Sequence, residues 1–152
     1  DTSHPDDPRQ PVLQRATAQT LSLSPEYRLI CVSVVRAAPV AVGAADEETA
    51  SGIHLDHLVR LRHWVEPLRL PAWRQSLHVI ESLRPESALL EFARRNHVDV
   101  ILLGAPSPNQ HTMAWWRSVA STVTANAPCS VLVVRIPEPR AATDSLDMLP
   151  FD

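Results

Sequence analysis

Apolar and polar positions follow two different periods along the chain. Short and nearly continuous apolar runs predict buried strands, whereas apolar residues three and four positions apart predict helices that cover a core. The continuous runs predict four strands, at Leu29–Val35, Leu77–Ile80, Val98–Leu103 and Val131–Ile136. The helical spacing, together with flanking prolines, predicts four helices, at Val12–Leu23, Ser51–Val65, Pro85–Asn96 and Ser118–Ala127.

Two details of this pattern concern the second predicted helix and the segment before it. Residues 36–50 contain Ala, Pro and Gly and predict a linker, within which Asp46, Glu47 and Glu48 indicate a solvated helix start. Along one side of the helix, the spacing predicts a stripe made by Leu55, Leu58, Val59, Arg62 and Val65.

Strands that alternate with helices predict an α/β fold, a doubly wound parallel sheet covered by helices on both faces. Residues 1–136 are expected to form this domain. Residues 137–152 are rich in proline and acids without an apolar period, and they predict a flexible tail. A sheet of this kind binds ligands beyond the carboxyl ends of its strands. The site is therefore expected near Gly104, which follows the third predicted strand.

The amino-acid composition limits the reactions and ligands that are expected of this chain. All 14 basic residues are arginine, so reactions and phosphate sites that depend on lysine are excluded. The net charge of −3 gives no indication of nucleic-acid binding, and no apolar run is long enough to predict a membrane span. Cys31 and Cys129 lack metal-ligand spacing and are predicted to be small buried residues in a reduced, cytoplasmic protein.

The segment 101–121, ILLGAPSPNQHTMAWWRSVAS, has the layout of a strand, a loop and a helix. Loops that hold phosphate commonly use glycines, because their backbone N–H groups approach the oxygens closely, and a helix N-terminus adds favourable partial charge. Ser118 is the predicted N-cap of that helix. Gly104 is the only glycine within this segment, and Pro106 and Pro108 each remove one N–H donor.

The chain from Val12 to Arg135 resembles the universal stress protein family. The resemblance is most specific in VDVILLGA (98–105) and SVASTVTANAPCSVLVVR (118–135). The family pattern there is a strand, Gly, two residues, Gly, nine residues, Gly, and Ser or Thr. Counted from Gly104, the second and third glycine positions hold Ser107 and Arg117, whereas Ser118 keeps the hydroxyl.

Two further stretches, HLVRLRHWVEPLRLP (57–71) and NHVDVILLGA (96–105), look similar to one branch of the family. That branch is the stress-protein domain at the C-terminus of bacterial bifunctional serine/threonine kinases. The resemblance thus implies a regulatory domain within a larger stress-signalling protein, and a serine/threonine kinase is the candidate for that larger protein.

The resemblance also implies a five-stranded sheet in the order 3-2-1-4-5. The run Leu29–Val35 matches the second strand of the family, so the first and central strand is expected before residue 1. Since an open position at the centre of a parallel sheet is very unfavourable, the resemblance implies that another segment fills it.

The resemblance implies a site for an adenine nucleotide. Its phosphates would be lined by Gly104, Ser107, Ser118 and Val119, and its adenosine would lie beside Val34. Ser107 and Arg117 each add a side chain where the family has none. Arg117 has two interpretations: it pairs with phosphate, or it fills the space, and we favour the second. Binding of ATP or AMP is therefore expected to be weak or lost.

The resemblance also implies that the protein is a homodimer. In the family, the last strand lies at the edge of the sheet and commonly pairs with the same strand of a second copy. In this chain that strand contains Val131, Leu132, Val133 and Val134. The alternative is that the tail after residue 136 folds over the edge and keeps the protein monomeric.

No catalytic motif is present: the chain lacks a nucleophile elbow, a Cys–His constellation, GxGxxG, GxxxxGK[ST], HRD and DFG. The predicted function is therefore non-catalytic. The alternatives are a stress protein with a competent ATP or AMP site, and a small hydrolase or nucleotidyl transferase that would use Ser107, His111 or Ser118.

A group of histidines on the second helix is predicted to be solvated rather than metal-binding: His54, His57 and His63.

Overall fold

A computed structural model describes the backbone of residues 10–36, 45–105 and 114–135, and the side chains of residues 10–36, 51–104 and 118–135. Ser107, Ile136 and the predicted tail lie outside these residues. Helices and strands alternate along the described chain: α1 (Gln10–Ser22), β1 (Leu29–Val35), α2 (Ala45–Val65), β2 (Gln75–Glu81), α3 (Pro85–Arg95), β3 (Val100–Ala105), α4 (Ala114–Asn126) and β4 (Ser130–Arg135).

The four predicted strands are present, and they pair in parallel. β1 pairs with β2 over its whole length, and β3 pairs with β4 in the same way. Parallel strands joined by helices confirm the α/β class. Within the described residues the two pairs form separate two-stranded sheets. The arrangement is compatible with the predicted strand order, in which one central strand would separate β1 from β3.

Each pair of strands has its own buried cluster. In the first cluster, helix α2 packs on β1 through Cys31, Leu61, Trp64 and Val65. In the second, helices α3 and α4 pack on β3 through Leu90, Leu103, Val119 and Val123. The core of the described chain is therefore divided between the two sheets.

Two helices connect the halves. On α1, Leu13 packs against the first cluster and also approaches Gly104 of β3, while the Gln14 side chain donates a 2.8 Å hydrogen bond to the carbonyl oxygen of Trp64. On α3, Phe92 lies with its ring centroid 5.1 Å from that of His78 on β2. Both sheets are thus held to common helices.

The structure corrects the prediction for helix α2. The helix begins at Ala45, so the acidic helix start is confirmed, whereas the linker through residue 50 and the start at Ser51 are wrong. Alanine and glutamate are strong helix formers, and acids in the first turn interact favourably with the helix dipole.

The predicted stripe of α2 is buried only in part, since Val65 is 3% exposed and Leu58 is half-buried. Leu55 is 63% exposed and Val59 is 44% exposed, whereas Leu61 and Trp64 are buried. The helix carries two apolar stripes, and packing selects the one that contains tryptophan, because its side chain buries the larger area.

Helix α4 begins at Ala114, four residues earlier than predicted. Ser118 therefore lies inside the helix, and its assignment as the N-cap is wrong. Strand β3 also extends further than predicted, to Ala105, so that Gly104 is a strand residue paired with Val134. Local sequence preferences place helix ends less reliably than helix interiors.

Candidate functional site

A groove of about 1390 Å³ separates β1 from β3. One wall is formed by every residue of β1 and the other by residues 98–104, which lead into and form most of β3. Residues of α1, including Leu13 and Thr17, line the groove, and so do residues of α3, including Phe92 and Ala93. The groove therefore passes between two sheet edges and has helices beside it.

The structure brings together four of the residues predicted for a nucleotide site. Val34, Gly104, Ser118 and Val119 all line this groove. Arg117 lies in the first part of α4, but its side chain is outside the described residues, and so is the whole of Ser107. The predicted roles of these six residues in nucleotide binding stay predictions.

Gly104 does not have the backbone conformation that usually requires glycine. No glycine among the described residues has a positive φ. A Cβ built on Gly104 would lie 3.4 Å from Cδ2 of Leu13, which is ordinary van der Waals contact. The glycine thus lets α1 approach β3, and a small side chain at this position would be tolerated.

Ser118 and Val119 are placed unfavourably for backbone contacts to a phosphate. The unpaired N–H groups of a helix belong to its first four residues, which here are residues 114–117. Ser118 is exposed, so its hydroxyl is accessible, whereas Val119 is 4% exposed and its side chain belongs to the second buried cluster. The N–H groups of α4 that lack a partner within the helix therefore lie in the turn before Ser118.

The sequence-based interpretation missed one polar pair in the groove. Oγ of Ser33 on β1 and Nδ1 of His57 on α2 share a 2.9 Å hydrogen bond, and both residues are half-buried and line the groove. His57 is therefore not a solvated surface histidine. A serine within the apolar run LICVSVV was the available signal, because a buried hydroxyl requires a partner.

This pair is not arranged as a nucleophile and its base. A catalytic histidine normally needs a third group that orients it. Asp56 is the acid nearest to His57 in sequence, but its carboxylate accepts a 2.7 Å ion-pair contact from Arg60. Ser33 also lies inside a strand that is covered by α2. The pair therefore connects the sheet to the helix.

The surroundings of His57 predict a pH dependence of stability. Burial, followed by the positive charge of Arg60, lowers the pKa of His57 below its ordinary value of 6.5. As the pH falls, His57 is therefore protonated at a higher pH in the unfolded chain than in the folded chain. Protonation favours the unfolded chain, so the free energy of unfolding decreases as the pH falls below 6.5. When the pH is lowered from 7.5 to 5.5, the free energy of unfolding should decrease more in the wild type than in His57→Asn.

The measurement is urea unfolding of both proteins at each pH, compared at equal ionic strength. Asparagine keeps a polar group near Ser33 but does not titrate, so it serves as the control. A stability difference between the two proteins that stays constant across this interval would contradict the prediction.

The two cysteines differ in their environment. Cys31 is 6% exposed, as predicted, and burial raises the pKa of its thiol to about 12. Cys129 is only half-buried, so the predicted burial is wrong for this residue, although desolvation still raises the pKa of its thiol. Neither environment stabilises a thiolate, which is the reactive form of cysteine.

The residues that the structure describes show neither a metal site nor a membrane span. They contain no group of three His, Cys, Asp or Glu side chains arranged to hold a metal ion. His54 and His63 instead lie near single carboxylates, each 3.8 Å from an oxygen of Glu81 or Glu66. No described helix combines the length and the hydrophobicity needed to cross a bilayer.

Comparison with known proteins identifies the family. No curated protein matches the chain. The model of the universal stress protein family matches residues 4–135, which is most of the 152-residue chain. The matched region contains all the described strands, both buried clusters and the groove. The chain therefore belongs to the universal stress protein family.

Proposed function

We propose that this chain is a non-catalytic regulatory domain of the universal-stress type, which forms a homodimer and has weakened or lost binding of adenine nucleotides. The parent protein would be a larger stress-signalling protein, with a serine/threonine kinase as the candidate suggested by the sequence resemblance. A cytoplasmic location is part of this proposal and is supported by the two cysteines, Cys31 and Cys129, which are both free thiols.

One observation carries the nucleotide part of this proposal. Two of the three glycine positions of the family loop hold Ser107 and Arg117, and a side chain at such a position hinders the close approach of phosphate oxygens to the backbone N–H groups. The placement of Gly104 in a paired strand and of Val119 in the core also supports weak binding.

We expect ATP, ADP and AMP to bind with a Kd of about 1 mM or weaker, or not at all, in isothermal titration calorimetry. A Kd in the micromolar range or tighter would contradict this prediction. The same would follow from a bound ATP whose phosphates lie along residues 104–118.

The side chain at position 117 distinguishes two explanations of any residual affinity. If Arg117 obstructs the phosphate position, Arg117→Gly should strengthen ATP binding, and Arg117→Ala should strengthen it less. If Arg117 pairs with phosphate, both substitutions should weaken binding. We expect the first result. Adenosine, which lacks phosphate, is the control ligand, and its affinity should be equal in all three proteins.

A competent nucleotide site is the second candidate function. It is favoured by the convergence of Val34, Gly104, Ser118 and Val119 on one groove and by the start of α4 at Ala114, where N–H groups are available to an anion. The titration described above separates it from the first candidate. A hydrolase or transferase function has less support, because no carboxylate within the described part of the chain is seen to orient the imidazole of the Ser33–His57 pair.

A further inference from the structure

Two large apolar side chains are exposed at the amino edge of β1 and β2, the edge at which both strands begin. Leu29 of β1 and Gln75 of β2 are register partners, so the segments that lead into the two strands approach each other here. Leu23, in the segment before β1, is 77% exposed, and Trp73, in the segment before β2, is 62% exposed. Exposed apolar side chains that come together in this way indicate an interaction surface.

The side chain of Arg74 fixes the two segments relative to each other. Its guanidinium donates a 2.8 Å hydrogen bond to the carbonyl oxygen of Tyr27 and a 3.4 Å hydrogen bond to that of Ser24. The ring centroid of Trp73 lies 5.9 Å from the same guanidinium, and Leu23 directly precedes Ser24. A surface that is ordered before binding loses less conformational entropy when a partner associates with it.

This surface is positively charged, although the chain as a whole has a net charge of −3. Residues 23–28 and 69–74 contain three arginines and a single acid, Glu26. Arg28 and Arg69 are exposed, and neither forms an ion pair with a described residue. The amino-edge patch is defined by four exposed residues: Leu23, Arg28, Arg69 and Trp73. Its chemistry fits a partner that combines carboxylates with large apolar side chains.

The sequence of residues 141–152, AATDSLDMLPFD, has this combination. It contains three aspartates and no basic residue. Its large apolar residues alternate closely with these acids: Leu146, Met148, Leu149 and Phe151. The segment is therefore complementary to the amino-edge patch in both charge and hydrophobicity.

The residues that follow β4 are long enough to bring this segment to the patch. β4 ends one residue after Val134, the register partner of Gly104, and a Cβ built on Gly104 would lie 3.4 Å from Cδ2 of Leu13 on α1. From Leu13 to Leu23, just after the end of α1, the helical rise covers about 15 Å. Residues 136–143 span up to about 26 Å when extended, which exceeds this length by about two strand spacings.

We propose that residues 141–152 bind to the amino-edge patch of the same chain. Their apolar side chains cover Leu23 and Trp73, and their carboxylates lie near Arg28 and Arg69. This contact removes exposed apolar surface from water and pairs two arginines that have no acidic partner among the described residues. It does not involve β4, so it is compatible with the homodimer proposed above and does not depend on it.

The first test replaces Leu146 and Phe151 together by serine in the 152-residue chain. The indole N–H signal of Trp73 is compared by NMR in the wild type and in this serine variant. We expect it to shift, because the apolar cover of the indole is lost, whereas the indole signal of the buried Trp64 should stay in place and serves as a measure of folding. An unchanged Trp73 signal would overturn the proposal.

The second test titrates a synthetic peptide of residues 141–152 into both proteins, with the Trp73 signal as the readout. We expect the peptide to bind the serine variant at least about tenfold more tightly than the wild type, because the attached segment competes in the wild type at a high effective concentration. Equal binding to the two proteins would overturn the proposal. A peptide that shifts the signals of β4 rather than that of Trp73 would also overturn it, in favour of the alternative in which the tail covers the sheet edge.

Charge reversal on the serine variant tests the role of the arginines. Arg28→Glu and Arg69→Glu should each weaken peptide binding by about threefold or more. Arg62→Glu is the matched control, because Arg62 is also exposed and without an ion pair to a described residue, but lies on α2 outside the patch. An equal loss in all three variants would overturn the assignment of the segment to this patch.

Discussion

Replacement of Trp64 by alanine is expected to lower the free energy of unfolding by about 3–5 kcal/mol. Trp64 is 6% exposed and packs in one cluster with Cys31, Leu61 and Val65. Its truncation removes the largest side chain of that cluster and leaves a cavity between α2 and β1. Since small domains are stable by about 5–15 kcal/mol, this single change would remove a large fraction of the total.

The chain offers a matched control for this experiment. Trp73 is 62% exposed, and its ring contacts the Arg74 guanidinium at 5.9 Å, so Trp73→Ala should change the stability by no more than about 1 kcal/mol. Urea unfolding of both variants measures the difference. Similar losses in the two variants would contradict the assignment of Trp64 to the core.

A phenylalanine at position 64 keeps part of the packing and removes the indole N–H, which has no hydrogen-bond partner within the described residues. A buried N–H without an acceptor is unfavourable by about 1–3 kcal/mol, so its removal offsets part of the lost packing. Trp64→Phe should therefore be less destabilising than Trp64→Ala. A loss in Trp64→Phe as large as that in Trp64→Ala would contradict this expectation.

Introduction of a charge on β4 is expected to convert the proposed homodimer into a monomer. Strand β4 pairs with β3 along one edge, and no described strand pairs with its other edge. Leu132 on this strand is 43% exposed, which is unusual for a large apolar residue on a strand. An exposed apolar edge strand favours association, and pairing with its own copy is self-complementary, as a two-fold dimer requires.

Light scattering at micromolar concentration should give a dimer mass for the wild type and a monomer mass for Leu132→Glu and Val134→Lys. Leu55→Glu is the matched control, because Leu55 is 63% exposed on α2, away from the strand, and this variant should remain dimeric. A monomeric wild type, or strand variants that remain dimeric, would contradict the edge-strand dimer. A monomeric wild type would instead support the alternative in which residues after 136 cover the edge of the sheet.

Most strands and helices could be predicted because their signals are local. The run LICVSVV is apolar and β-branched over its whole length, and β1 has the predicted bounds Leu29–Val35. Pro85 marks the start of α3 in the same way, because proline is favoured in the first turn of a helix.

The predictions were wrong where the local sequence pattern was compatible with two solutions. Ser118 has the chemistry of an N-cap, yet α4 begins at Ala114, and the residues between them are compatible with a helix. On α2 the stripe with Leu55 and Val59 resembles a buried face as closely as the stripe with Leu61 and Trp64. Contacts with β1 selected the second stripe.

The sequence by itself determined the order of the elements, the parallel α/β class and the family, because each depends on periodicity or on short motifs along the chain. Only the tertiary structure decided which side chains share the groove, that the described core is divided between two pairs of strands, and that Ser33 contacts His57 across 24 positions. These features depend on contacts between residues that are distant in sequence. Periodicity within one element carries no information about such contacts, since it specifies which face is buried but not which element covers it.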